Sequence, residues 1–438
     1  MATSPATTPD EALVREISAS GSEPDWLAAH RLDSLARHAA LPAPALTDER
    51  WRRTDLRGLD PAAFTAASRN GQPDATATAA NSLLASVEFG GQNVQADWWH
   101  QANSLTTNLQ AAGVIFTSME AAVRDHPDLV RKSLTGEPTE TSLEKFEALQ
   151  SALWRGGNFL YVPDGVEIEL PLHSLLWMTQ SDISTQVQTS VIVGKRARVQ
   201  FVDEQASETA SSPAIAGARI DAYIDDGGTL DYACVQDWGL HTAAFKTVRA
   251  RLGRDANFNY VEFAMGAGLV KSFVEGTMPE PGASLEMWGL SLLDGRRHID
   301  NETHQHHIAD HTFSNLLYKG VLRERGRSVF YGMITIDDTA GQSNSYQANN
   351  NLLLSKEARA DSIPGMEIKT YDVRCTHGAT ISRVDEEELY YLQSRGFTRA
   401  QAEWLAVRGY VGPVLDRLKN EPVRDAVEAA VLARAGRD

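Results

Sequence analysis

Between Trp154 and Thr380 a five-residue pattern, small–x–apolar–x–aromatic or Met, returns at a nearly fixed distance. It reads Gly157-Asn158-Phe159-Leu160-Tyr161, Ala197-Arg198-Val199-Gln200-Phe201, Gly228-Thr229-Leu230-Asp231-Tyr232, Ala256-Asn257-Phe258-Asn259-Tyr260 and Ala283-Ser284-Leu285-Glu286-Met287, and Ser314-Asn315-Leu316-Leu317-Tyr318 fits again. From Val199 the central apolar residue steps to Leu230, Phe258, Leu285 and Leu316, by 31, 28, 27 and 31 residues. Alternation with period two marks a strand with one buried face. A long regular step marks stacked units, none of which buries its apolar face alone. Together they predict a mainly β chain with a parallel β-helix at residues 154–380. An antiparallel sandwich is the rival, since it also gives short strands bounded by turns. Asn349-Asn350-Asn351 reads as a tight corner of the solenoid, because Asn tolerates left-handed backbone.

The flanks change period. Residues 1–153 read as a mixed, largely helical N-terminal domain and 381–438 as a helical C-terminal domain. Capping boxes are expected at Thr117/Glu120, Thr141/Glu144, Asp385/Glu388 and Thr398/Gln401. Pro413 is expected to open a last helix, broken or kinked near Pro422. Residues 66–82 read as a loose connection, and Trp51, between Arg50 and Arg52, as a half-buried Trp in a charged linker.

Charge and cysteine usage narrow the function. A formal charge of −17 on 438 residues argues against nucleic acid and against an anionic membrane surface as the main partner. No basic-then-apolar leader opens the chain, and Leu170 to Met178, interrupted by Pro171 and His173, is too short to span a bilayer. A cytoplasmic protein is expected. Cys234 and Cys375 form neither a C-x-x-C pair nor a disulfide framework. No phosphate-cradling G-x-x-x-x-G-K-[ST] loop and no G-x-S-x-G elbow occur, so any ATP hydrolysis belongs to another chain.

Two groups of residues could carry metal chemistry. His298, His304, His306, His307 and His311 form the densest cluster. Imidazoles so spaced can bind a transition metal, but a strand points His306 and His307 to opposite faces. Hydrogen-bonded histidines on solenoid corners are the plainer reading. Cys375-Thr376-His377 is smaller and sharper. Residues two apart in a strand share a face, so thiol and imidazole project together. Both are competent iron ligands. Two ligands do not make a site, and a second chain would have to supply the rest.

Several motifs, in order, resemble one family. They are Ala152-Leu153-Trp154-Arg155-Gly156-Gly157, Tyr318-Lys319-Gly320-Val321-Leu322, Asn350-Asn351-Leu352-Leu353-Leu354-Ser355, Pro364-Gly365-Met366-Glu367-Ile368, Asp372 through Thr380, and Leu389-Tyr390-Tyr391-Leu392-Gln393-Ser394-Arg395-Gly396. These resemble the SufB/SufD family of iron–sulfur cluster assembly proteins. The Cys375-x-His377-Gly-Ala-Thr form and Trp51-Arg52-Arg53-Thr54-Asp55-Leu56 resemble its SufD branch. The resemblance implies a right-handed parallel β-helix and a non-ATPase scaffold. It implies pairing with SufB through the β-helix and docking of the ATPase SufC on the C-terminal helices, with a homodimer in isolation as the alternative to pairing with SufB. A nascent cluster or iron would be shared transiently with SufB, with none stably bound. His377 matches the histidine at that interface and Cys375 the cysteine beside it. The resemblance assigns nothing to Cys234 or to the histidine cluster. Two readings from other classes stand beside it: a metal-dependent enzyme using the His cluster, and a structural β-solenoid binding module.

Overall fold

The alternating segments form strands, and the strands wind in one sense instead of folding back. In the computed structural model, residues 9–57, 59, 65–66, 75–134, 141–180, 183–208 and 213–435 are described. The chain opens with α1 (Glu11–Gly21), α2 (Asp25–Ala40), β1 (Thr65–Ala66), α3 (Ala75–Ala80), β2 (Gly91–Ala96), β3 (Trp99–Leu105), α4 (Thr107–Ala111), β4 (Ile115–Ser118), α5 (Met119–Asp125), α6 (Pro127–Leu134) and α7 (Glu144–Leu153). The solenoid strands follow: β5 (Asn158–Val162), β6 (Leu172–Met178), β7 (Ile183–Val193), β8 (Arg198–Ser207), β9 (Ala214–Ile224), β10 (Thr229–Asp237), β11 (Thr242–Leu252) and β12 (Asn257–Ala264). Then come β13 (Leu269–Met278), β14 (Ser284–Leu293), β15 (His298–His307), β16 (Phe313–Leu322), β17 (Arg327–Ile336), β18 (Asn344–Leu353), β19 (Arg359–Ile368) and β20 (Arg374–Arg383). From β5 onward odd-numbered strands build one sheet and even-numbered strands the other. Each strand pairs in parallel with the one two places later, giving a parallel β-solenoid of about eight turns. The sandwich alternative is thereby excluded, since sandwich strands pair antiparallel.

Register explains the repeat. Val199 lies beside Leu230, Leu230 beside Phe258 and Phe258 beside Leu285, so the first three sequence steps are coil steps. The fourth is not. Leu285 pairs with Ser314, and Leu316 pairs with Met287. A two-residue slip keeps every side chain on the same face, so composition alone hid the true register. Gly157–Tyr161 also differs, because β5 belongs to the odd sheet. Its entry depends on Gly157, whose φ of 100° favours glycine and where a Cβ would lie 1.9 Å from the Gln188 carbonyl oxygen. The Asn349–Asn351 run is no corner. It lies inside β18, with Asn349 and Asn351 buried. Asn351 Nδ2 donates to Asn349 Oδ1 at 2.8 Å, and Asn349 Nδ2 reaches the Tyr318 carbonyl at 3.3 Å. Side-chain amides can satisfy one another there, so a polar triplet is tolerated inside the solenoid.

The interior is a stack of like side chains. Phe201, Tyr232 and Tyr260 form one column with ring centroids 5.2 and 5.9 Å apart, and Val199, Leu230, Phe258 and Leu285 form the next. The outer faces are covered. On the even sheet, α9 (Arg399–Leu415) and α10 (Glu421–Ala435) lay Val407, Val411, Val414, Val423, Val427 and Val431 over Val202, Val261 and Leu290. The spacing of those valines, three or four apart, makes one stripe per helix. On the odd sheet, Trp51 is buried with Phe146, Phe245 and Phe273, and its Nε1 donates to the Ser142 carbonyl at 3.1 Å. Trp51 is therefore an anchor of the N-terminal segment and not a linker residue.

Helix ends differ in detail from expectation. Thr398/Gln401 forms a full capping box. Ser118, not Thr117, caps α5, and Asp385 caps α8 (Glu386–Ser394) through the Glu387 amide. Leu143 precedes α7 without a side-chain cap, and Thr141 accepts instead from the Leu143 amide. Pro413 lies in the last turn of α9, and Pro422 in the first turn of α10, where its missing N–H is tolerated. Much of the 66–82 connection lies outside the described residues, although 75–80 is helical.

Phe258→Ala should lower stability by about 3–5 kcal/mol, because the truncated ring leaves a cavity between Leu230 and Leu285. The readout is the shift in urea midpoint. An unchanged midpoint would show that the ring is not part of the column.

Candidate functional site: the open end of the solenoid

The two ends of the solenoid are finished differently. At the start, β4 pairs antiparallel with β5 and β3 pairs antiparallel with β2. At the other end, β19 and β20 terminate their sheets. Among the described residues no strand pairs to their outer sides. Each is ten residues long, and its alternate residues turn N–H and C=O groups outward with no ladder partner. Pro364, which lacks an N–H, is tolerated in β19 because an edge strand needs only one ladder. Exposed apolar groups rim this end: Met366, Ile368, Tyr371 and Ile381, with Tyr346 on the preceding coil.

Cys375 and His377 lie on β20. Their register partners are Ser345 and Gln347, both fully buried inside the solenoid, whereas the partner of Thr376 is the exposed Tyr346. Cys375 and His377 therefore share the inward face, as their spacing predicted, but with no further coil above them. His377 is exposed. Cys375 packs against Ile334, Ile336 and Ala340, and its Sγ lies 3.3 Å from Met366 Sδ across to β19. Partial burial pushes the Cys375 thiol up from its ordinary pKa, so it is a thiol in the free chain. Only a cationic or metallic partner would make it a thiolate. Met366, a soft thioether beside that thiol, is the residue that sequence reasoning passed over. In the sequence it stands only as one position of Pro364-Gly365-Met366-Glu367-Ile368.

Beneath this end the interior turns polar. His307 accepts or donates to Thr312 Oγ1 at 2.7 Å and Ser314 Oγ at 2.8 Å, and Ser314 Oγ meets Ser345 Oγ at 2.7 Å. Burial, with His306 and His304 nearby, pulls the His307 pKa down to about 3, so it is neutral near pH 7. Deeper inside, Cys234 is buried with Lys246 Nζ at 3.7 Å, and Lys246 is ion-paired with Glu262. Burial pushes the Cys234 thiol up to about 12, which keeps it protonated.

The remaining histidines lie on a strand and not on corners, His311 excepted. His298, His304 and His306 project from β15 to the outer face of the odd sheet, and His307 projects inward. His298 bonds Thr54 at 2.9 Å, where Thr54 also donates to Asp300. Burial holds the His298 pKa at about 4. His304 and His306 stack with centroids 5.2 Å apart, and Glu275 on the neighbouring coil faces His304. The structure thus separates the five histidines into distinct settings and adds a carboxylate that the cluster reading did not include.

The fold is a parallel β-solenoid whose last coil carries a thiol and an imidazole on its inward face. The chain belongs to the SufB/SufD family. Residues 176–410 match the SufBD core domain of SUF system FeS cluster assembly, and residues 15–173 match the SufBD protein N-terminal region. It is similar to the iron-sulfur cluster assembly protein SufD of Bacillus subtilis, 26% identical over 96% of this chain and 97% of that protein. It is also similar to SufB of the same organism, 25% identical over 95% of this chain and 90% of that protein. An iron-sulfur cluster assembly SufBD family protein of Staphylococcus saprophyticus matches at 25% over the same shares. No helix of the described residues is long and apolar enough to cross a membrane.

The low pKa of His307 makes stability pH-dependent. The unfolded chain takes up this proton near pH 6.5, whereas the folded chain resists it down to about 3. Stability is complete above pH 6.5 and is lost as pH falls towards 3, at about 1.4 kcal/mol per pH unit from this residue. Thermal melts between pH 7 and pH 5 should drop less for His307→Gln than for wild type. Parallel curves would show that His307 is protonated in the fold.

Proposed function

We propose that this chain is a SufD-type, non-ATPase scaffold of a cytoplasmic SUF assembly complex, in which a nascent iron–sulfur cluster is built or passed on at its open end. The observation that carries this reading is the outer edge of β20, which no described strand pairs, with Cys375 and His377 on the inward face of that strand. A SufB-type chain meets the open coil. Edge strands with free ladders and an apolar rim suit a partner that continues the stack. Two copies of this chain meet there when that partner is absent. Iron or the cluster is cargo at this contact and is not held stably by this chain alone. His377 is a ligand, Cys375 a second, and the partner supplies the others, because one thiol and one imidazole leave an iron centre incomplete.

A SufC-type ATPase docks on the C-terminal helices. Trp404, Leu405 and Tyr410 are apolar candidates for that surface. Tyr410 is turned towards the even sheet, where Lys319 Nζ lies 4.3 Å from its ring centroid and donates to its carbonyl at 2.7 Å. Exposed Tyr390, Tyr391 and Phe397, on and just after α8, give the better apolar patch. The match of the SufD-branch motif around Cys375, and of the Trp51 segment, supports a SufD-type role over a SufB-type one.

Reconstitution with SufB, SufC, iron and sulfide tests the reading. His377→Ala should leave folding and complex formation intact. It should cut cluster absorbance to roughly a tenth, the scale of loss for a disturbed metal site. His377→Cys should retain part of the yield, because a thiolate also binds iron. Full yield from a well-assembled His377→Ala complex eliminates the ligand role. The purified chain should not hydrolyse ATP, and turnover that survives removal of SufC would refute the scaffold assignment.

A further inference from the structure

Outside the open end, three metal-competent side chains converge on the outer face of the odd sheet. Glu275 on β13 is the register partner of His304 on β15, and His306 follows two residues on, on the same face. One donor atom of each lies within 4.8 Å of the other two. His304 Nδ1 is 2.8 Å from Glu275 Oε1. We propose that Glu275, His304 and His306 form a binding site for one divalent first-row transition ion, separate from the Cys375/His377 end.

Four observations support the site. The donor set, two imidazoles and a carboxylate, suits Zn²⁺, Fe²⁺ or Co²⁺ and is poorly matched to Mg²⁺ or Ca²⁺, which favour all-oxygen ligands. The far side of each ring is held: Asp337 Oδ2 is 3.1 Å from His306 Nε2, and Thr335 Oγ1 is 3.0 Å from His304 Nε2. Such outer contacts fix ring orientation in metal sites, and a proton on Nε2 of His306 leaves the lone pair on Nδ1. The side chains of His304 and His306 are 18% and 24% exposed, so an ion can reach them and water can complete its shell. Glu275 is buried, and its other oxygen lies 3.8 Å from Arg249, which is in turn paired with Glu147 at 2.9 Å. The carboxylate is thus fixed on a rigid strand. In the ion-free chain His304 Nδ1 and Glu275 Oε1 share a hydrogen bond, and an ion bound there takes its place.

The sequence offers a cross-check on this geometry. Glu275 precedes His304 by 29 residues, one coil step, and the parallel register places them side by side. Histidines two apart on a strand then share the face with it. The triad is thus a consequence of the solenoid and could not be read from local spacing.

The test uses the full, untagged chain stripped with a chelator. Titration with Co²⁺, followed by visible absorbance, and with Zn²⁺, followed by calorimetry, should show one ion per chain. His304→Gln and His306→Gln, each with an unchanged far-UV spectrum and cooperative melting, should weaken binding at least tenfold, the usual lower bound for losing an ordered metal contact. Cys375→Ser/His377→Ala should bind as wild type. The proposal is overturned by absence of binding to the wild-type chain, by unchanged affinity in both histidine variants, or by loss of binding in the Cys375/His377 variant. Should His304→Gln fail to fold, His306→Gln alone decides, because His306 is the more exposed of the two rings.

Discussion

Each coil of this protein is held by the backbone hydrogen bonds it shares with the coil before and the coil after. Parallel in-register pairing forces residue on residue, so the columns of the interior follow from the ladder. Phe201 lies over Tyr232 and Tyr232 over Tyr260 because their backbones are partners, and only then because aromatic rings pack well. The same constraint makes the ends special. A ladder has no natural stop, and any terminal strand leaves half of its polar backbone without a partner. The first end stops in the antiparallel strands β3 and β4, and the last end in the long parallel strands β19 and β20. Under the proposed function, the long parallel edge is the one that another chain continues.

The ladder also decides where charge can be buried. Along the outer face of the odd sheet, Lys271 Nζ bonds Asp300 at 2.9 Å and the Arg50 carbonyl at 3.1 Å, while Glu302 accepts from Ser142 and lies 3.5 Å from Arg50. Buried charges destabilise unless their partners are in place. The N-terminal segment supplies those partners and is thereby bound to the sheet. A comparable arrangement ties α2 to the start of the solenoid. Arg31 is fully buried, bonds Glu23 at 2.7 and 2.9 Å and the carbonyls of Ala152 and Trp154, and stacks 4.2 Å over the Trp154 ring. The N-terminal part is therefore integral to the solenoid, since it covers Lys271, Asp300 and Glu302 and completes their hydrogen bonds.

The C-terminal helices face the converse demand. Their valine stripes are taken up by the even sheet. The large apolar side chains exposed in this region are Tyr390, Tyr391 and Phe397. Counting apolar residues in a terminal helical region overestimates its docking surface whenever a sheet face underneath is also apolar, because the two bury one another first.

Within the amino-acid sequence the strand period, the coil step from Val199 to Leu285, the Thr398/Gln401 cap and the shared face of Cys375 and His377 were all present. Each is local, or repeats at a constant interval, and backbone geometry converts such patterns directly into structure. Tertiary structure alone decided the rest. The slip that pairs Leu316 with Met287 preserves face parity and is invisible to a period-two pattern. Asn349 and Asn351 became interior residues because neighbouring amides and carbonyls satisfy them, which no propensity records. The five histidines parted company, and Glu275 joined two of them, through lateral pairing across a coil. Sequence period specifies which way a side chain faces. Which side chain lies beside it depends on the length of every loop between, and that is settled only when the coils stack.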